Sequence, residues 1–317
     1  MNAVFLDQQT FNAGISLHCI NEQVNSLTCY QKTQPNEIVT RCINADIIIT
    51  NKVLLTAEIL DQLPQLKLVC IAATGTNNID ITAAIRLNIA VTNVSGYANN
   101  SVSQYVFSQI CEYYSQTHHH QQNTAQGLWQ LSPIFCYHGN GITELAGKTL
   151  GIIGYGDLGK AVAKIAYAFD MKVLIAERQG ETVIRSGRVA FEQLVEQADI
   201  ITLHCPLTHD TEKLVNQQFL SKMKNNAMLI NSARGALIDN QALYNALQQQ
   251  IIAYAVLDVL EQEPPPADHL LIANQLPNLK ITAHIAWASI EAQQKLINIL
   301  ANNIASYKNK QNLNRIN

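Results

Sequence analysis

Three titratable side chains of different chemistry each stand a few residues beyond a short apolar run in the second half of this 317-residue sequence. They are Arg234 in Asn231-Ser232-Ala233-Arg234-Gly235, Glu263 in Glu261-Gln262-Glu263-Pro264, and His284 in Thr282-Ala283-His284-Ile285-Ala286-Trp287. A guanidinium offers a planar fork of donors that grips a carboxylate and a neighbouring carbonyl oxygen. An imidazolium gives a proton to a forming alkoxide and recovers it in the reverse direction. A carboxylate on its other ring nitrogen fixes the tautomer. Any one of the three alone reads as an ordinary surface charge. Together, after a nucleotide-binding signal, they point to interconversion of a 2-oxo and a 2-hydroxy acid.

That signal is Gly154-Tyr155-Gly156-Asp157-Leu158-Gly159, a G-x-G-x-x-G. Alone it is weak, and its context strengthens it: an apolar strand-like run precedes it, and the helical run Lys160-Ala161-Val162-Ala163-Lys164-Ile165-Ala166 follows. The glycines permit the tight turn, so that backbone N–H groups there, those of Asp157 and Leu158 included, approach a pyrophosphate at the helix N-terminus. Glu177 closes the next strand at about the 20-residue spacing of a ribose-binding acid. As an acceptor from the 2′-hydroxyl it favours NAD over NADP, whereas Arg178 beside it could cover a 2′-phosphate.

Positioning these groups calls for a parallel sheet. β-branched runs at 47–50 and 68–71 alternate with helical segments, and the chain opens on a strand within 1–7, a βαβ pattern that sets the fold class as α/β. A second series at 149–153, 172–176, 200–203, 227–231, 255–258 and 279–282 supplies six strands for one doubly wound domain. Between the series, 101–116 is expected to be a helix with Ser101 as its N-cap. A last helix over 290–307 is expected to return to the first domain, with Leu296, Ile297, Leu300 and Ile304 on its inner face. The expected domains are therefore 1–98 plus 288–317 for substrate and 99–287 for the dinucleotide. Residues 121–144 show no period and carry Trp129, Phe135 and Tyr137, and read as a long loop for a contact between two copies.

Composition narrows the partners. With 48% hydrophobic and 14% charged residues the chain packs a core, and a net charge of −3 offers no positive field for nucleic acid or an anionic membrane. Seven cysteines without a C-x-x-C pair argue against a disulfide framework or a structural zinc and suit a reducing cytoplasm. No apolar run approaches the roughly 18 residues of a membrane span, and the first residues do not form a signal peptide. His118-His119-His120 lacks acidic or Cys partners at ligand spacing, so no metal site is expected. Lys52 either adds a charge for an anionic substrate or is simply solvated.

Over essentially its whole length the sequence resembles the D-isomer-specific 2-hydroxyacid dehydrogenases. The likeness is greatest to their glycerate dehydrogenase (hydroxypyruvate reductase) branch, through Ala73-Thr74-Gly75-Thr76-Asn77-Asn78-Ile79-Asp80, Glu144-Leu145-Ala146-Gly147-Lys148-Thr149 and His284-Ile285-Ala286-Trp287-Ala288-Ser289. The resemblance implies two Rossmann-like domains, one flavodoxin-like and one NAD-binding, with a cleft between them, and a homodimer. It also implies that Arg234, Glu263 and His284 are the catalytic Arg, Glu and His, and that the Thr74-Gly75 turn holds the substrate carboxylate. Ser101-Val102 matches the helix start beside the nicotinamide, where His284 also lies. His204, Pro206 and nearby Thr211 match the adenosine-side loop, Ala233 a cofactor-lining turn, and Asp258 the acid that bonds the nicotinamide carboxamide. The family commonly has Pro before the catalytic His. Here Ala283 stands there and a fixed φ is lost, while Ser103 and Tyr105 also differ from the usual pattern.

Hydroxypyruvate and glyoxylate are the leading substrates on this resemblance, with D-lactate or another D-2-hydroxy acid as the alternative. NAD-sensing corepressors share the fold and offer a non-enzymatic alternative. Phosphoglycerate dehydrogenases normally add a C-terminal regulatory domain, which is not expected here.

Overall fold

Ile47, Ile48 and Ile49 are fully buried on alternating faces of one strand, which requires a sheet covered on both sides. In the computed structural model, which describes residues 1–317, that strand belongs to the first of two units, Met1–Ala98 with Trp287–Asn317; the second is Asn99–Ala286. The first unit holds β1 (Asn2–Phe5), β2 (Ser26–Cys29), β3 (Ile47–Thr50), β4 (Leu68–Ile71) and β5 (Ala90–Thr92). All pairings are parallel and the order is β2-β1-β3-β4-β5, the flavodoxin-like arrangement. The C-terminal helix Ile290–Lys308 packs Leu296, Ile297, Leu300 and Ile304 against Phe5, Ile47, Ile49 and Leu68, so the chain end returns to this unit. Ser289 caps that helix by accepting from the Ala292 amide at 3.1 Å, with Glu291 in the first turn and Lys308 in the last to complement its dipole.

The second unit holds β6 (Thr149–Ile153), β7 (Lys172–Ile175), β8 (Ile200–Leu203), β9 (Met228–Asn231), β10 (Tyr254–Leu257) and β11 (Leu279–Ile281). These six strands match the expected series to within one or two residues. Their order is β11-β10-β9-β8-β6-β7 and every pairing is parallel, so all six carboxyl ends lie along one edge. Beyond β7 only the bridge Ala176↔Val189 continues the sheet.

Three expectations need correction. The helix expected from Ser101 runs Asn99–Ser115, so Ser101 lies inside it and its hydroxyl donates to the Ala286 carbonyl at 2.7 Å instead of capping. The supposed loop from 121 begins inside a helix, Thr117–Ala125, which Gln116 at φ 48 separates from the preceding one. That helix is polar nearly all round, with only Asn123 buried, and so shows no apolar period in the sequence. Trp287 belongs with the first unit, where its ring meets Phe11 and Tyr97 edge-on at 5.9 and 6.2 Å. No helix is long and apolar enough to cross a membrane.

Candidate active site

β9, β10 and β11 are neighbours, so the loops that leave their carboxyl ends emerge side by side. Asn231, fully buried at the end of β9, shapes the first loop: its side chain accepts from the Ala233 amide at 3.0 Å and donates to the Arg234 carbonyl at 2.8 Å. The Arg234 guanidinium is held by one bond, from Nη1 to the Ala233 carbonyl at 2.6 Å, which leaves its other donors open. Gly235 is the hinge of this placement. A Cβ there would lie 1.9 Å from the Leu260 carbonyl carbon and 2.2 Å from the Glu261 nitrogen, so only glycine lets the Arg234 loop rest on the backbone that leads to Glu263.

Glu263 accepts from the Leu260 amide at 2.9 Å through Oε1 and from His284 Nδ1 at 2.6 Å through Oε2. A carboxylate that only accepts puts the proton on Nδ1, which leaves Nε2 as the working nitrogen. The His284 side chain is 25% exposed, enough to meet a small ligand. His284 sits at φ 54, with its amide bonded to the Asp258 carbonyl at 2.8 Å.

Asp258, 1% exposed, fastens the whole segment. Its carboxylate accepts from the Thr282 hydroxyl at 2.6 Å, the Ile285 amide at 2.9 Å and the Ala286 amide at 2.8 Å. The Tyr105 hydroxyl lies 2.7 Å from that of Thr282 and, pushed up to about 12 by burial, keeps its proton. These bonds supply the rigidity that Ala283 withholds. Asp258, expected at the nicotinamide carboxamide, holds the loop that carries His284. Thr282 was missed in the sequence because only the β10–β11 pairing brings it to Asp258, and Tyr105, noted there only as a departure from the family pattern, reaches it from the helix Asn99–Ser115.

At the other side of the sheet centre, β6 ends at Gly154, whose φ is 98. A Cβ there would meet the Cys205 nitrogen at 2.4 Å and the His204 carbonyl carbon at 2.5 Å, and one at Gly159 would meet the Gly154 oxygen at 2.3 Å. Around Gly156, by contrast, a Cβ would meet nothing within 4 Å. No side chain caps the helix Asp157–Ala168, so its first-turn amides, including those of Asp157 and Leu158, are left for an anion. Two glycines closed by packing and one open, at an uncapped helix start, fit a dinucleotide pyrophosphate.

The remaining expected cofactor residues are less open. Val102 is buried in the first turn of the helix Asn99–Ser115. The Thr211 hydroxyl is used within its own loop, bonded to the Pro206 carbonyl at 2.7 Å and to the Thr208 amide at 2.7 Å. His204 Nε2 lies 3.0 Å from the Thr202 hydroxyl, its Nδ1 is enclosed without a partner, and burial pushes the ring down to about 4. Glu177 turns inward, and Arg185, Arg188 and the Arg178 amide surround it. No sequence period announced Arg185 or Arg188, since the loop that returns them to β7 closes through the single bridge Ala176↔Val189.

In the first unit, Thr74 and Gly75 follow β4. The Thr74 hydroxyl donates to the Val94 carbonyl at 2.8 Å and Asn93 donates to the Thr74 carbonyl at 2.8 Å, which holds the turn while the Thr74 and Gly75 amides have no acceptor within the protein. No group of three His, Cys, Asp or Glu side chains is placed to hold a metal ion.

Residues 107–286 match the family model described as D-isomer specific 2-hydroxyacid dehydrogenase, NAD binding domain. The glycerate dehydrogenase of Methylorubrum extorquens is 41% identical over 305 residues, covering 96% of this chain and 95% of its own. The hydroxypyruvate reductase of Blautia hydrogenotrophica is 34% identical over 323 residues, covering 100% of both chains. Among solved structures, an acyclic imino acid reductase in complex with NADPH and D-Arg superposes over 100% of both chains with a TM-score of 0.85 at 31% identity.

Proposed function

The chain belongs to the D-isomer-specific 2-hydroxyacid dehydrogenases, a family of NAD-dependent oxidoreductases, and from this membership we propose that it reduces hydroxypyruvate and glyoxylate, reversibly, to D-glycerate and glycolate. The Gly154–Gly159 turn and the uncapped helix start at Asp157 would hold the dinucleotide, which in its reduced form would supply a hydride to C2. Arg234, with most of its donors open, binds the substrate carboxylate and polarises the C2 oxygen. In the first unit the Thr74 and Gly75 amides, without an acceptor in the protein, are donors of the kind that bind a carboxylate. His284 gives its Nε2 proton to that oxygen as negative charge develops there, and Glu263 stabilises the imidazolium and fixes the ring. The observation that carries this reading is the His284–Glu263 pair at 2.6 Å with Nε2 left unpartnered.

Two finer assignments go with it. Leu131 is 80% and Phe135 91% exposed, in a stretch that also exposes Trp129, Ile134 and Ile142, and such a patch suits a homodimer. All seven cysteines are free thiols, which suits the reducing cytoplasm.

The test follows NADH absorbance with hydroxypyruvate, glyoxylate, pyruvate and 2-oxoglutarate in parallel. Hydroxypyruvate and glyoxylate should have the highest kcat/KM, and His284→Ala should lower kcat by about 10²–10⁴-fold. Preference for pyruvate would favour a D-lactate enzyme. Absence of turnover with all four would favour the corepressor-like binding module.

A further inference from the structure

An acid that discriminates for NAD must present a free carboxylate oxygen to the ribose hydroxyls. Glu177 does not. Its side chain is 2% exposed, and both oxygens are occupied from within. Oε1 accepts from the Arg178 amide at 2.9 Å and from Arg185 Nη2, with Arg188 Nη1 at 4.0 Å. Oε2 accepts from Arg185 Nε at 2.8 Å and from the Arg185 amide at 3.2 Å. The Arg185 guanidinium holds the carboxyl well below the usual carboxylate range, so this anchor stays charged at any working pH.

The loop geometry makes the arrangement rigid where it matters. Glu177 N bonds the Val189 carbonyl at 2.9 Å and Val189 N bonds the Ile175 carbonyl at 2.9 Å, which returns the loop to the carboxyl end of β7, the strand paired with β6 and its glycine turn. Arg188 braces the return by donating to the Ala176 carbonyl at 2.9 Å. What reaches solvent is cationic. Arg178 is exposed with no partner for its guanidinium, and Arg185 is 53% exposed with its Nη1 donors unused. Glu181, also exposed, is the one other carboxylate acting on Arg185, so three guanidiniums stand against two carboxylates.

A guanidinium pair is the donor set that recognises a phosphate monoester, because its planar forks match phosphate oxygens. We infer that Arg178 and Arg185 form a seat for an adenosine 2′-phosphate, with Glu177 as the buried anchor of Arg185, and that the chain accepts NADP(H) as well as NAD(H). This rests on reading the Gly154–Gly159 turn as the dinucleotide site.

The test measures binding to the full chain by calorimetry, with adenosine 2′,5′-bisphosphate and 5′-AMP as probes, and by fluorescence with NADPH and NADH. The bisphosphate should bind at least about tenfold more tightly than 5′-AMP, an advantage that shrinks as salt is raised, and NADPH should bind within about tenfold of NADH. Arg178→Ala and Arg185→Ala, both at exposed positions, should each erase most of the bisphosphate advantage. Glu177→Gln should weaken bisphosphate binding, whereas a ribose-binding acid so changed would strengthen NADPH. A bisphosphate no tighter than 5′-AMP, or an advantage untouched by both arginine variants, overturns the inference while leaving the dinucleotide site standing. Failure of all four probes to bind overturns the dinucleotide site and the inference with it.

Discussion

Two histidines leave the same edge of the second sheet, three strands apart, with opposite surroundings. His284, past β11, has an acceptor-only partner on Nδ1 and an open Nε2, the state a proton donor needs. His204, past β8, has an enclosed Nδ1 without a partner, and burial pushes its ring down to about 4. The second environment has a consequence for stability. In the folded chain His204 stays neutral down to about 4, while the unfolded ring takes a proton below its ordinary value of 6.5. Between those limits the unfolded state binds more protons, so stability falls as pH falls, by up to about 1.4 kcal/mol per pH unit. Urea unfolding at pH 7 and pH 5 should therefore show a larger loss of midpoint in the native chain than in His204→Gln. Equal losses would mean that the ring is open to water.

Strands were the most legible elements, and loops the least. All six strands of the second unit could be read because buried parallel strands are short β-branched runs, and Arg234, Glu263 and His284 could be placed because each follows such a run closely. The polar helix Thr117–Ala125 could not, since it buries almost nothing. The partners of Asp258 and Glu177 were equally hidden, because in each case a loop brings them back to the carboxylate. Asp258 therefore matters at the level of the element that carries His284. In Asp258→Asn one of the three donors from Thr282, Ile285 and Ala286 must face an amide NH₂ instead of an oxygen. Leaving a buried donor unpaired costs about 1–3 kcal/mol, and the 282–286 loop should loosen. We expect kcat to fall roughly tenfold or more, as a misplaced catalytic group costs rate, together with a lower thermal midpoint. Tyr105→Phe removes only the outermost bond of the same chain and should cost less in both. Unaltered kcat in Asp258→Asn would show that His284 is held by Glu263 alone.

At the scale of the whole molecule, the segment after Ala125 leaves a run of apolar side chains uncovered. Helix Thr117–Ala125 is followed by residues without regular structure, in which Trp129, Leu131, Ile134, Phe135 and Ile142 are all exposed. Trp129 Nε1 donates to the Phe135 carbonyl at 2.9 Å and Ser132 donates to the Cys136 carbonyl at 2.6 Å, so the segment has a defined shape in spite of its exposure. A shaped apolar surface is worth keeping only if something covers it, and a second copy of the same surface is the simplest cover, since two-fold contacts are self-complementary. Leu131→Glu with Phe135→Glu would place four carboxylates in such a contact, two from each copy. Because neither side chain lies in a core, the double variant should keep the native circular dichroism and thermal midpoint at low concentration. Sedimentation should then show a dimer for the native chain and a monomer for the variant. A variant that sediments as the native chain does would remove this segment from any interface between copies.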